Sequence, residues 1–112
     1  MDSRTLSFIT ACQTAIYNHL KHAGQWWQTN QKIANRTGLP LAAVRILMKE
    51  YVERGLVEVY SHDYLRKMYR WNEQNPEGER VFRERLVAAQ LEVESHTAAL
   101  EAVNPREGIG PN

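Results

Sequence analysis

The charged side chains of this 112-residue sequence are unevenly placed. Between Asn30 and Arg70 stand eight basic residues (Lys32, Arg36, Arg45, Lys49, Arg54, Arg66, Lys67, Arg70) and four acidic ones (Glu50, Glu53, Glu58, Asp63), a local charge of +4. Between Pro76 and Val103 stand six acidic and three basic residues, a local charge of −3. The net charge of +1 therefore conceals a basic middle and an acidic end. A basic segment attracts phosphate and an acidic helix does not. An unevenly charged, solvated surface would show the same residues. Other chemistry has thinner support. There is no Ser-His-Asp set, no motif of paired carboxylates and no glycine-rich phosphate loop, so no enzyme is expected. His19 and His22 are spaced i, i+3 without a clear third ligand, so neither a metal nor any other cofactor is expected. Cys12 is the only cysteine, which excludes an internal disulfide and a Cys-based metal cluster. It falls on the apolar side of a helix and reads as a small core residue.

The elements that must carry these residues follow from spacing. Asp2 or Ser3 caps a first helix over 4–23, whose apolar positions are Leu6, Phe8, Ile9, Cys12, Ile16 and Leu20. Gly24 stops it, and Trp26 and Trp27 suit a short extended piece. Thr29 or Asn30 caps a short second helix with Ile33 and Ala34 inward, and Gly38 ends it. A third helix spans 40–54 with Val44, Leu47, Met48 and Tyr51 inward. Its outward face then carries Leu41, Ala42, Arg45, Ile46 and Lys49. Strands over 56–60 and 67–71 form a hairpin around a polar turn. In the first strand Val57 and Val59 share a face. Trp26, Trp27, Tyr51, Tyr69 and Trp71 are expected to close the core around the hairpin. The fold class is therefore mainly α with a small β-hairpin.

The order helix, short strand, helix, turn, helix, hairpin now becomes specific. Ile33-Ala34, Thr37-Gly38-Leu39, Val44, Leu47 and Tyr51 lead into Glu53-Arg54-Gly55-Leu56-Val57, where a helix ends at glycine and feeds straight into a strand. Residues 16–71 thus resemble the winged helix-turn-helix domain of MarR-, ArsR- and PadR-type bacterial regulators. That resemblance implies that the third helix enters the major groove of duplex DNA. Arg45 would then meet a guanine edge or a phosphate, Lys49 a phosphate, and Ala42 and Ile46 thymine methyl groups. Asn30, Gln31, Lys32, Asn35 and Arg36 would lie near the backbone, and Arg66 and Lys67 would reach out from the wing. The outward face is also apolar enough, at Leu41, Ala42, Ala43 and Ile46, to suit a protein partner.

Beyond a linker at 72–75, Asn75-Pro76 starts a long helix over 76–103, and residues 104–112 form a tail expected to be mobile. Phe82, Leu86, Ala89, Val93, His96, Leu100 and Val103 are spaced 4, 3, 4, 3, 4, 3, a coiled-coil heptad seam. Its 28 residues would extend about 42 Å. Two pairings compete: the same helix of a second copy, or the first helix of the same chain. The resemblance adds that in MarR-type proteins N- and C-terminal helices of two subunits interlock. Locally, Glu79 is spaced to pair with Arg83 and Arg80 with Glu84.

Hydrophobic residues make up 43% and charged residues 24% of the sequence, as in soluble globular proteins. No apolar run is long enough for a membrane span and no secretory signal is visible, so a cytoplasmic location is expected. The leading functional expectation is a homodimeric, sequence-specific regulator of transcription bound to double-stranded DNA. The alternatives are a winged-helix adaptor or inhibitor of phage or plasmid type that docks on a protein, and a replication or partition factor that binds an origin.

Overall fold

In the computed structural model, residues 2–61 and 66–103 are described, with side chains for all of these except 96 and 98–103. Four helices and one hairpin follow in the order α1 (Ser3–Ala23), α2 (Asn30–Thr37), α3 (Leu41–Glu53), β1 (Val57–Ser61), β2 (Lys67–Trp71) and α4 (Pro76–Val103). The helix ends are set by side chains. Asp2 accepts the amide of Thr5 at 2.8 Å, and Thr29 accepts that of Lys32 at 3.1 Å. Asn75 accepts the amide of Gly78 at 3.0 Å while its side-chain amide donates to the carbonyl of Gly55 at 2.9 Å. That bond ties the start of α4 to the end of α3. A Cβ at Gly78 would land on the Asn75 side chain, so the cap needs glycine there.

Between α2 and α3 the chain reverses at Gly38, whose φ of 75° lies in the left-handed region. Pro40 caps α3 without a side-chain bond, its carbonyl accepting the amide of Val44 at 3.1 Å. β1 and β2 are antiparallel, in a register that pairs Val57 with Trp71 and Val59 with Tyr69. Gln28 extends this sheet by a single bridge, exchanging two backbone hydrogen bonds with Tyr69 at 2.9 and 2.7 Å.

The core gathers Ile16 and Leu20 of α1, Ile33 of α2, Val44, Met48 and Tyr51 of α3, and Val57 and Trp71 of the hairpin. It also takes in Phe82 and Leu86 of α4, which are 2% and 8% exposed. Burying one such side chain stabilises by about 1.5–3 kcal/mol. The aromatic rings interlock edge to face, Tyr17 on Trp71 at 5.1 Å and Tyr51 on Phe82 at 5.3 Å. Phe82 and Leu86 were expected at the start of a seam between chains, and instead they face their own α1 and α3. The lower part of the seam therefore folds back within one chain.

α4 runs antiparallel to α1. Glu79 lies opposite Tyr17 and Lys21, and Gln90 donates to Thr14 at 3.3 Å. Ala89 and Val93 are half-buried along this line. The side chains of His96, Leu100 and Val103, and the tail at 104–112, lie outside the described residues, as do 62–65 of the hairpin turn.

Several expectations about the core change. Trp26 is 78% exposed and does not join it. Gln28, not a tryptophan, faces inward at the bridge, so alternation turns Trp27 to the outer side of the sheet. There Trp27 stacks on the Arg70 guanidinium at 4.2 Å and leans on Tyr60. Phe8 and Val59 are also exposed, at 52% and 44%. Glu79 does not pair with Arg83. Its carboxylate turns inward and accepts from Tyr17 at 2.6 Å, Trp71 Nε1 at 3.1 Å and Lys21. The expected Arg80–Glu84 pair is present at 2.6 Å. Among the described residues no helix is long and apolar enough to cross a membrane.

Candidate nucleic-acid interface

α3 presents its outer face because its inner one is fully committed. Val44, Met48 and Tyr51 recur at helical spacing and are each sealed at 0% exposure. The residues between them must then look outward. Ala42, Arg45, Ile46 and Lys49 are all exposed and lie at i, i+3, i+4 and i+7 along one stripe. Leu41, expected on this stripe, is half-buried and packs against the core.

Arg45 does not stand alone. It forms one wall of a groove of about 560 Å³ whose other walls are Thr29, Asn30 and Gln31 at the start of α2 and Arg66, Lys67 and Tyr69 of the hairpin. Three of the seven lining residues are basic and none is acidic. The Gln28–Tyr69 bridge holds the walls in place by tying the hairpin to the segment that enters α2. The N-terminal end of the α2 dipole also points here. Thr29 takes up the amides of Lys32 and Ile33, which leaves the amides of Asn30 and Gln31 without a bond among the described residues. The Asn30 side-chain oxygen is buried and likewise without a partner.

Ion pairing sorts the eight basic residues. Arg54 is paired with Glu50 at 3.2 Å and Arg70 with Glu58 at 3.1 Å, so neither is available to an anion. Lys32, Arg36, Arg45, Lys49 and Lys67 are exposed and make no ion pair among the described residues. Of these, Arg45 and Lys67 line the groove. Lys49 continues the α3 stripe, and Lys32 and Arg36 of α2 are not among the groove's lining residues. Gln31, which lines the groove, donates across one turn to Asn35 at 2.8 Å.

Thr29 and Tyr69 are walls that the sequence reading used only as cap and core. Their second role depends on the hairpin folding back over α2, which no local pattern encodes. The other reactive side chains are spent elsewhere. His19 shares a hydrogen bond with Gln28 at 2.7 Å. Burial pushes the Cys12 thiol above its ordinary pKa, which disfavours the nucleophilic thiolate. Among the described residues, no three His, Cys, Asp or Glu side chains are grouped to hold a metal ion. The arrangement is suited to holding a polyanion against an exposed helix. No protein-family model, curated protein or solved structure matches the chain.

Proposed function

We propose that this chain is a winged helix-turn-helix regulator of transcription that binds duplex DNA, with α3 in the major groove and the hairpin as its wing. The observation that carries the reading is the groove in which Arg45 of α3, Lys67 of β2 and the start of α2 converge, with no acid among its described lining residues. A helix about 10–12 Å across fits the major groove of B-form DNA, which is about 12 Å wide. With α3 in that groove, Arg45 and Ile46 reach base edges and Lys49 a phosphate. The first turn of α2 and Lys67 meet the flanking backbone, where phosphate contacts set register and base contacts set sequence.

Binding of the folded protein to genomic fragments across a salt series tests this. The logarithm of affinity should fall linearly with the logarithm of salt concentration. Lys67→Ala should lower the slope by about one, and Arg45→Ala should in addition weaken preference among sequences. A folded protein that binds no DNA at any salt concentration refutes the reading.

A protein-docking role has one observation in its favour. Ile46, at the centre of the stripe, is 69% exposed, and an apolar centre with a charged rim also describes a protein interface. In that case Ile46→Glu abolishes capture of the partner while Arg45→Ala changes little.

A further inference from the structure

The outer face of the hairpin carries rings that neither the core nor the groove uses. Alternation along the paired strands puts Glu58 and Tyr60 of β1 and Met68 and Arg70 of β2 on that face, with Val57, Tyr69 and Trp71 on the other. Trp27 joins the outer face from the segment before α2. Its ring lies 5.7 Å from that of Tyr60 and 4.2 Å from the Arg70 guanidinium. Arg70 is tied in turn to Glu58 at 3.1 Å. Trp27 is therefore a support, braced from two sides. Tyr60 stays 46% exposed. Trp26, one residue before the support, is 78% exposed and has no ring or cation against it among the described residues. Trp27 thus links two open rings, Trp26 through the chain and Tyr60 through its side chain.

What borders these rings selects their partner. Trp27 and Thr29 are two residues apart, one on the outer face and the other in the wall of the basic groove. On the far side, Tyr60 is followed by Ser61, which pairs across the strands with Lys67 of the same groove. Glu58 is the one acid among the described residues of the outer face, and Arg70 neutralises it. A strand of nucleic acid that leaves the groove over residues 26–29 passes from phosphate-binding cations to open rings. Basic groove and exposed rings together are what a single strand requires, its backbone held by the cations and its bases stacked on the aromatic faces. Duplex DNA needs only the cations, because its bases already stack on one another.

We propose that an unpaired stretch of DNA continuing from the bound duplex stacks its bases on Trp26 and Tyr60, so that the preferred ligand is a duplex with a single-stranded extension and not a blunt one. The inference rests on the nucleic-acid reading above and names the form of DNA that the site takes.

Fluorescence anisotropy at one salt concentration measures the affinity for a labelled blunt duplex, for the same duplex with a run of unpaired thymines, and for the same duplex with an equally long abasic run. The thymine extension should tighten binding about tenfold, the worth of stacking one base on an aromatic side chain. The abasic extension carries the same added charge and should bring little gain. Trp26→Ala should remove most of the gain and leave the affinity for the blunt duplex unchanged, while Trp26→Phe keeps part of it. Circular dichroism of both variants should match wild type, since the indole packs against no other ring. Tyr60→Ala should reduce the gain in the same way. Equal affinity for blunt and extended duplexes, a gain that the abasic run reproduces, or a gain that survives Trp26→Ala overturns the stacking site and leaves the duplex reading standing. Binding of none of the three ligands refutes both.

Discussion

Removing the Glu79 carboxylate tests how α4 is fastened to the rest of the chain. The carboxylate is 16% exposed and accepts from three side chains on two elements: Trp71 of β2, and Tyr17 and Lys21 of α1. Trp71 is sealed at 0% exposure, and Glu79 is the acceptor of its indole N–H. Leaving that donor buried and unpaired costs about 1–3 kcal/mol. The Tyr17 hydroxyl is half-buried and loses a bond of 2.6 Å, for about another 1 kcal/mol. Lys21 is 33% exposed and reaches water once released, so nothing is assigned to it. Glu79→Ala should therefore destabilise the protein by about 2–4 kcal/mol. Glu79→Gln keeps an acceptor and should cost about 1 kcal/mol.

The pH dependence has a definite sign. Burial alone would raise the Glu79 pKa, but the hydrogen bonds from Tyr17, Lys21 and Trp71, with the charge of Lys21, outweigh it and hold the value below that of an ordinary carboxylate. The ionised group thus contributes stability above the unfolded pKa of about 4.3. That contribution is lost as pH falls through the lower, folded value. The stability gap between wild type and Glu79→Gln should be constant from about pH 6 to 8 and shrink in acid below about pH 4. Tyr17 does not interfere, because burial and the adjacent Glu79 push its pKa up to about 12. Urea unfolding measures each variant, with midpoints compared at equal slope. A cost for Glu79→Ala under about 0.5 kcal/mol, or a gap to Glu79→Gln that persists unchanged in acid, would refute the argument.

Three further substitutions probe other joints of the fold. Phe82→Ala should cost about 3–5 kcal/mol in thermal or urea unfolding, and the same amount at every protein concentration, because Phe82 packs within one chain. Gly38→Ala should cost about 1 kcal/mol or more, since the turn before α3 holds a positive φ that alanine resists. Thr29→Ala should cost about 1 kcal/mol through the lost α2 cap, and on the DNA reading it should also weaken binding without changing sequence preference.

The elements were legible because each is marked by local chemistry. Caps at Asp2, Thr29 and Asn75, a left-handed stop at Gly38 and the β-branched run at Val57 act within a few residues, and the boundaries fall within one residue of where spacing puts them. What spacing could not settle was which partner each apolar face meets. The 4, 3 repeat from Phe82 is equally satisfied by a helix of another chain and by α1. The choice rests on Tyr17, Trp71 and Tyr51 converging where Phe82 and Leu86 arrive, a coincidence of four distant segments. Glu79 was misassigned for the same reason. By helical spacing its cation is Arg83, four residues on, but the indole of Trp71, the phenol of Tyr17 and the ammonium of Lys21 offer it a drier site with three donors.

The candidate interface shows the same division more sharply. Arg45 is placed outward by the burial of its neighbours Val44 and Met48, so periodicity alone locates it. The groove around it is different in kind. Lys67 is 22 positions further along the chain, and it comes to face Arg45 only because Gln28 bridges to Tyr69 and turns the hairpin over the start of α2. Two backbone hydrogen bonds thus gather part of a scattered excess of lysine and arginine around one concavity, with no acid among its described lining residues. Net charge carries no information about this, since a chain at +1 can hold a local field strong enough to orient a polyanion if its acids are gathered elsewhere. Here six of the thirteen acids stand on α4, and Glu50 and Glu58 are paired with Arg54 and Arg70.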